Sequence, residues 1–332
     1  MDTKIDFVIP WVDGSDPNWQ NEKSRYDKTV TGDKRNIRYR DLDNLIYWFR
    51  GVEKFAPWVN KIHFVTWGHL PSWLNTQHPK LNILYHQDFI PEKYLPTFNT
   101  RPIELNFHRI EGLSNHFVYF NDDMFIIKPT EKKDFFKKGL PCDTAVLMPL
   151  ISKFRNSTMA NVANVMEVIN TTYEKNRAIK KNISKWFHIS YGKYLLSTLL
   201  MLPYKDFTGF LNQHLPNSYL KSTYEELWED EYKILDKTCD NKFRTGRDVN
   251  QQLLKYKQFA EGNFSPRSPR IGKTFHFNNN NKDIVQSIKR QKFKLICIND
   301  NDSDPIEDFE YQKEVVKSAF NYILDKKSSF EI

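Results

Sequence analysis

Short apolar runs that stop abruptly at acidic or amide residues constrain this chain more than any other feature. Residues 5–12 read IDFVIPWV and end at Asp13-Gly14-Ser15-Asp16-Pro17, while 117–120 read FVYF and run straight into Asn121-Asp122-Asp123. Each run has the length of a buried strand, and the residues beyond it carry turn chemistry. The pattern recurs at 61–66 (KIHFVT), 81–86 (LNILYH), 144–148 and 294–298 (KLICI), the last ending in Asn299-Asp300-Asn301-Asp302. Between the runs, 40–55 places Leu42, Leu45, Ile46, Phe49 and Val52 at helical spacing. A second helix is predicted over 102–113, with Asn99 or Thr100 as N-cap and Pro102 in its first turn. Strands alternating with helices predict an α/β fold, a mostly parallel nucleotide-binding-type sheet flanked by helices.

After about residue 150 the pattern becomes mainly helical. Helices are expected over 223–236 and 248–259, a loop over 262–270, and a connector at 278–281 that caps a helix running to 289. The organisation expected is an α/β core at 1–150, a mainly helical region at 151–290, and a C-terminal segment at 291–332 that returns to the core. The three cysteines, Cys142, Cys239 and Cys297, are far apart and form no CxxC pair. That argues against a disulfide framework or a zinc site and suits a reducing compartment. The N-terminus has no basic segment followed by an apolar one, so a cytoplasmic location is expected. The apolar run 194–203 falls short of the ~20 residues that cross a bilayer. It reads as a buried helix, and the basic stretch 289–294 as a solvated face. The other reading of both is peripheral contact with the inner face of the cell membrane.

The net charge of +8 favours anionic ligands. Acidic residues are interspersed and no long basic block stands out, so nucleic acid is not an expected partner and phosphorylated substrates fit better. Ligands of open α/β sheets collect beyond the carboxyl ends of the strands, which draws attention to the polar run-ends. Trp11 is suited to stack on a base, and Gly14 lets the backbone approach a ligand; a plain strand-exit loop is the alternative. Asp122 and Asp123 repel unless neutralised, and an oxygen-liganded Mg²⁺ or Mn²⁺ would do so while bridging to a diphosphate; a solvated turn is the alternative. Glu104 and His108 lie four apart on the 102–113 helix, as a base and its orienting partner or as a surface ion pair. Arg244 suits phosphate oxygens and His214 suits proton transfer near neutral pH. No GxxxxGK[ST], GxSxG or HExxH occurs, which leaves P-loop, serine-hydrolase and zincin chemistry unsupported.

The run Ile5 to Pro17 resembles the first signature block of the Stealth family of sugar-phosphate transferases. The second block is matched through Tyr39-Arg40-Asp41, Glu53-Lys54-Phe55-Ala56-Pro57-Trp58, Pro71-Ser72-Trp73-Leu74-Asn75 and His86-Gln87-Asp88. It continues through Leu95-Pro96-Thr97-Phe98-Asn99, Ile103-Glu104, His108-Arg109-Ile110 and Phe120-Asn121-Asp122-Asp123. The third block is looser, with His214-Leu215-Pro216, Phe243-Arg244 and Asp248, and the fourth is short, Ile296 to Asn301. Thr245-Gly246-Arg247-Asp248 departs from the more typical His-Ser-Glu-Asp, and Thr100-Arg101-Pro102 from Ser-x-Ala.

The family includes bacterial capsular polysaccharide phosphotransferases and the catalytic subunit of the animal enzyme that tags lysosomal glycoproteins. The resemblance implies a glycosyltransferase-A-like fold and attack of a glycan hydroxyl on the sugar-bearing phosphate of a nucleotide-sugar, with a UDP-N-acetylhexosamine as expected donor. A nucleoside monophosphate leaves and a phosphodiester forms. Carried over by position, Glu104, Asp123, His214 and Arg244 are the implied catalytic residues. Trp11, Val12, Asp13, Gly14, Asn99 and Arg109 are the implied nucleotide-sugar-binding residues, and Asp122 with Asp123 the implied ligands of Mg²⁺ or Mn²⁺. The expected partners are a nucleotide-sugar donor and a glycan acceptor, with a lipid-linked acceptor as one form of it. The alternative activity is a metal-dependent glycosyltransferase that releases a nucleoside diphosphate. A non-catalytic glycan- or nucleic-acid-binding module rests only on the aromatic and basic excess.

Overall fold

The first apolar run becomes β1 (Ile5–Trp11), whose first five residues are buried. The computed structural model describes residues 3–27, 32–34, 39, 42–151, 157–300 and 306–332; Arg40, Asp41, Asn301 and Asp302 lie outside the described residues. After β1 come α1 (Pro17–Asp27), α2 (Leu45–Phe55), β2 (Ile62–Thr66), β3 (Leu81–Tyr85), α3 (Thr100–Leu105), β4 (His116–Tyr119) and β5 (Met124–Ile126). Next are α4 (Lys132–Phe135), β6 (Phe136–Lys137), β7 (Leu140–Asp143), α5 (Ser157–Thr172), α6 (Lys175–Lys181), α7 (Ile183–Trp186), α8 (Leu195–Met201) and β8 (Asn217–Leu220). The chain continues through α9 (Lys221–Asp230), α10 (Tyr232–Cys239), α11 (Gln252–Glu261), β9 (Ser265–Pro266), β10 (Gly272–Phe277), α12 (Lys282–Lys289), β11 (Leu295–Asp300) and α13 (Phe309–Ile323).

The main sheet has the order β3-β2-β1-β4-β8, parallel throughout except for β8 at the edge. The α/β class and the mostly parallel sheet expected from the sequence are therefore found. Side chains alternate across β1: Phe7 and Ile9 pack in a core with Trp48 and Phe49 of α2 and Phe320 of α13. Val8 points into a second core with Phe117, Tyr219 and Leu253. Burial on both faces is why the run is continuously apolar rather than alternating. Pro10 sits past Val8, the last residue of β1 paired with β4, so its missing N–H leaves no gap in that ladder. A smaller sheet, β10-β11-β5, pairs β11 antiparallel to β5 and brings Cys297 opposite Met124. The Ile298 amide then donates to the Asp123 carbonyl at 2.8 Å, fixing the late strand to the acidic pair.

Several elements differ from expectation, each for a local reason. Asp13 to Pro17 is more than an exit loop: the Asp16 carboxylate accepts from the Trp19 amide at 2.8 Å and Pro17 opens α1. The 102–113 helix is shorter and starts earlier, at Thr100, capped by Asn99. It ends because the Asn106 side chain donates to the Pro102 carbonyl at 2.8 Å, taking the acceptor its own backbone amide would use in a helix. No strand forms over 144–148, apart from a bridge between Leu147 and Phe210. Its amides have mixed partners instead: Ala145 donates to the Tyr191 hydroxyl and Leu147 to Thr198 Oγ1, while Met148 donates to the Gly209 carbonyl. The 223–236 helix is two, α9 and α10, broken at Glu231. Finally, the apolar run 194–203 is not a buried helix, since Thr198 is the one buried residue of α8.

Candidate active site

The carboxyl ends of β1, β3 and β4 open on one cavity of about 930 Å³. Trp11 and Val12 reach it from β1, His86 from β3, and Asn121, Asp122 and Asp123 from the turn after β4. Thr100, Arg101 and Glu104 enter from α3, Asn299 and Asp300 from the end of β11, and His214 and Arg244 from loops of the second half. The placement follows the switch-point rule for open α/β sheets.

Asp123 and His214 meet on its wall. His214 Nε2 lies 3.3 Å from Asp123 Oδ2, and Cys297 Sγ and Asn299 Nδ2 donate to the same oxygen at 3.2 and 3.3 Å. Burial works to raise the Asp123 carboxyl, but the charge and hydrogen bond of His214, with Cys297 and Asn299, hold it below the usual carboxylate value. Burial likewise works to lower His214, and the neighbouring Asp123 outweighs it, raising the imidazole above its ordinary value. His214 adopts φ +43°, left-handed backbone that a branched or bulky residue rarely tolerates. Its amide donates to Asn212 Oδ1 at 3.1 Å and its carbonyl accepts from Thr274 Oγ1 at 3.3 Å, which pins the turn.

Glu104 is buried, with Arg101 Nη1 at 3.0 Å from Oε2 and the Tyr119 hydroxyl donating to Oε1 at 2.9 Å. The Tyr119 hydroxyl also contacts Asn121 Oδ1, linking Glu104 to the acidic turn. His108 does not join it. Its ring packs near Tyr224 and Trp228, and burial with nearby Arg109 pushes it down to about 3. The Glu–His pairing expected on one helix face is absent because the helix ends between them. Arg244 Nη2 donates to Thr100 Oγ1 at 2.9 Å. Asp248 is fully buried and accepts from Thr245 N, Thr245 Oγ1 and Asn241 Nδ2, so it organises the Arg244 loop.

The donor-binding candidates divide. Trp11 lines the cavity beside Phe64 and His69. Asn99 also lines it, while its amide donates to Asn241 O and Asp248 Oδ2. Asp13 and Gly14 are not among the lining residues: the Asp13 amide donates to His69 Nε2 at 2.7 Å, and a Cβ on Gly14 would lie 2.2 Å from the Tyr39 carbonyl oxygen. The close approach that requires Gly14 is therefore to the protein's own backbone. Arg109 is exposed, with its guanidinium over the Trp228 ring at 5.2 Å and its Nε donating to Asn106.

Among residues the sequence reading did not single out, His86 also lines the cavity, and burial, reinforced by His69, pushes its imidazole down to about 4. It stands at a carboxyl-terminal strand end, a position from which it was findable. Gln251 and Gln252 also line the cavity, and nothing in their local sequence marked them.

The donor set suits a hard divalent cation. Asp123 Oδ1 is buried without a hydrogen-bond partner, and the side chains of Asp122, Asn299 and Asp300 line the same space. Ligand atoms of Asp123, His214 and Cys297 fall within 4.8 Å of one another. Cys297 already donates its thiol hydrogen to Asp123 Oδ2 at 3.2 Å, and a soft sulfur is a poor match for a hard cation. Oxygen ligation through Asp123 and Asp122 remains, which fits Mg²⁺ or Mn²⁺.

A mostly parallel α/β sheet whose strand ends gather a paired imidazole and carboxylate, the buried Arg101, the partly buried Arg244 and a carboxylate oxygen without a hydrogen-bond partner has the layout of an enzyme site. Two family models match the chain: Stealth protein CR1, conserved region 1, over residues 3–31, and Stealth protein CR2, conserved region 2, over residues 38–142. A capsular polysaccharide phosphotransferase, WcwK, of Streptococcus pneumoniae is 44% identical over 99% of this chain and 98% of its own length. The receptor polysaccharide phosphotransferase WefC of Streptococcus gordonii is 40% identical over the whole of both chains. The exopolysaccharide phosphotransferase cps2G of Lactiplantibacillus plantarum is 38% identical over 98% of this chain and 96% of its own. The chain belongs to the Stealth family of phosphotransferases. Among solved structures, the galactosyltransferase LgtC with donor and acceptor sugar analogs has a TM-score of 0.39 at 10% identity, covering 94% of this chain and 95% of its own. That likeness is loose.

Proposed function

We propose that this enzyme transfers a sugar-1-phosphate, N-acetylhexosamine-1-phosphate from a UDP-sugar, onto a hydroxyl of a capsular or cell-surface glycan. The observation that carries the reading is the His214–Asp123 pair, set in a cavity that Arg244 and the acidic turn also line. Its volume is near the top of the roughly 300–1,000 Å³ usual for ligand sites, as suits a donor and an acceptor held together.

Asp123, facing His214 Nε2 through Oδ2, stabilises the imidazolium that forms when the other ring nitrogen, Nδ1, takes the acceptor proton. The acceptor oxygen then bonds to the β-phosphorus, and the bond from that phosphorus to the bridging oxygen breaks. The nucleoside monophosphate departs with the bridging oxygen and its electron pair. Arg244 offsets charge on the transferred group, as phosphoryl transfer depends on positioning and charge stabilisation. Glu104 has both carboxylate oxygens engaged by Arg101 and Tyr119, so it serves as a fixed negative wall that positions Arg101 and Asn121. Asp122 and Asp123 would hold a divalent cation, which supplies charge neutralisation at the diphosphate when bound.

The test is product identity when purified protein meets UDP-N-acetylglucosamine, Mg²⁺ and a panel of glycan acceptors. Acceptor-dependent UMP is expected. UDP would instead identify a glycosyltransferase.

A further inference from the structure

Helix α8 is folded inside out. Its sequence LLSTLLM leaves Leu196 and Leu200 62% and 61% exposed, with Leu199 also in solvent, while Thr198 is fully buried. Polar groups hold the inward side: Thr198 Oγ1 accepts from the Leu147 amide at 3.2 Å, and Ser197 Oγ donates to the Leu147 carbonyl at 2.7 Å. An ordinary surface helix turns its leucines to the core. Ile189, on the turn just before α8, is 86% exposed, and Ile183 and Tyr204 are exposed on either side. The folding of this chain does not account for so much apolar surface in one stretch.

The charge of the same stretch selects what covers it. Residues 175–205 contain seven lysines and arginines and not one Asp or Glu, in a chain with 41 acidic residues. Lys175 and Lys185 are engaged with backbone carbonyls, whereas Arg177, Lys180, Lys181, Lys193 and Lys205 are exposed. A second copy docking through this surface would bring like charges together. An anionic bilayer suits both features, since leucines enter the headgroup–acyl boundary and basic side chains meet acidic headgroups. Tyr194, the residue before α8, lines the active-site cavity, so this surface begins at the cavity wall. Among the described residues no helix is long and apolar enough to cross a membrane, so the contact would be peripheral.

We infer that the leucine face of α8, with Ile189 and the exposed basic residues of 175–205, docks on an anionic lipid bilayer and sets the active-site cavity beside it. The docking stands independently of the reaction; only its use, presentation of a lipid-linked acceptor, rests on the phosphotransfer reading. The test is flotation of the full chain with phosphatidylcholine vesicles, with and without phosphatidylglycerol. Wild-type protein is expected to float with the phosphatidylglycerol vesicles. The L196S/L199S/L200S variant is expected to lose roughly tenfold or more of the bound fraction, with its melting temperature and its turnover of a water-soluble acceptor unchanged. Ile189→Ser, outside the helix, gives a partial loss, and K180Q/K181Q weakens the dependence on phosphatidylglycerol. Absence of wild-type flotation overturns the proposal, as does equal flotation of the triple variant. Conversion of a dimer to a monomer by the same substitutions, read by sedimentation velocity, would assign the surface to a protein partner instead. Lack of turnover with normal flotation would count against the phosphotransfer reading alone.

Discussion

Asp123 divides its carboxylate between two duties: Oδ2 meets His214 Nε2 at 3.3 Å, whereas Oδ1 is buried with no hydrogen-bond partner. A single residue thereby joins the His214 imidazole, the proposed base, to the place where a cation would be held. Asp123→Asn retains the shape but removes the charge from both. Turnover should fall on the order of 10²–10³-fold, and the Mg²⁺ concentration for half-maximal rate should rise. Asp122→Asn should raise the Mg²⁺ requirement with a smaller loss of maximal rate. Initial rates across a Mg²⁺ titration check both, and an Asp123→Asn enzyme with wild-type rate and Mg²⁺ requirement would remove the centre of the account.

The two arginines carried over from the family resemblance should separate cleanly. Arg244 lines the cavity and bonds Thr100, while Arg109 is exposed against Trp228. Arg244→Ala should therefore cost on the order of 10² in kcat/KM, and Arg109→Ala should leave it at the wild-type level. Steady-state kinetics of the two variants decides; equal losses would mean that Arg109 reaches the donor.

Gly14 should behave as a structural residue. Its Cβ position lies 2.2 Å from the Tyr39 carbonyl oxygen and 2.7 Å from the Tyr39 Cβ. Gly14→Ala should cost about 1–3 kcal/mol of stability through overpacking, measured by urea denaturation. A variant of unchanged stability but weakened donor binding would point instead to direct ligand contact.

Stability should fall in acid through Asp6, a fully buried carboxylate in β1. It accepts from Asn60 Nδ2 at 2.7 Å and Ser114 N at 2.7 Å, with His63 Nε2 at 3.2 Å. Burial alone would raise its carboxyl, yet these hydrogen bonds, His63 first, hold it below the ordinary 3.8. A depressed folded value means the stabilisation is present above the unfolded value and is lost as pH falls through the lower folded one. Wild-type stability should thus drop below about pH 4. Asp6→Asn should be weaker by about 1–3 kcal/mol at neutral pH and show a smaller acid-induced loss. Urea midpoints at neutral and acid pH measure both.

Much of the fold was legible because its signals are local. The runs at β1, β2, β3, β4 and β11 are short, apolar and closed by turn residues, and in β1, β2 and β4 burial on both faces leaves that trace directly in the sequence. Helix α3 was misjudged in length because Asn106 caps its end with a side chain, a choice periodicity does not record. The segment 144–148 looked like a strand, but the amides of Ala145 and Leu147 are taken by side chains of Tyr191 and Thr198 from far along the chain. Within the site, Asp123 and His214 were both singled out, yet their pairing spans 91 positions and depends on β8 returning to the sheet edge beside β4. His108 was drawn toward Glu104 only by the assumption of one unbroken helix. The leucines of α8 were read as core, because composition says what a helix could bury and not which side it turns inward.

The most direct measurement of the central claim follows the β-phosphorus of the donor. UDP-N-acetylglucosamine carrying a radiolabel on its β-phosphate is incubated with the enzyme, Mg²⁺ and a competent glycan acceptor. Sugar-1-phosphate transfer predicts that the label moves into the glycan while unlabelled UMP is released. Label retained in UDP, with sugar alone appearing on the glycan, would contradict it.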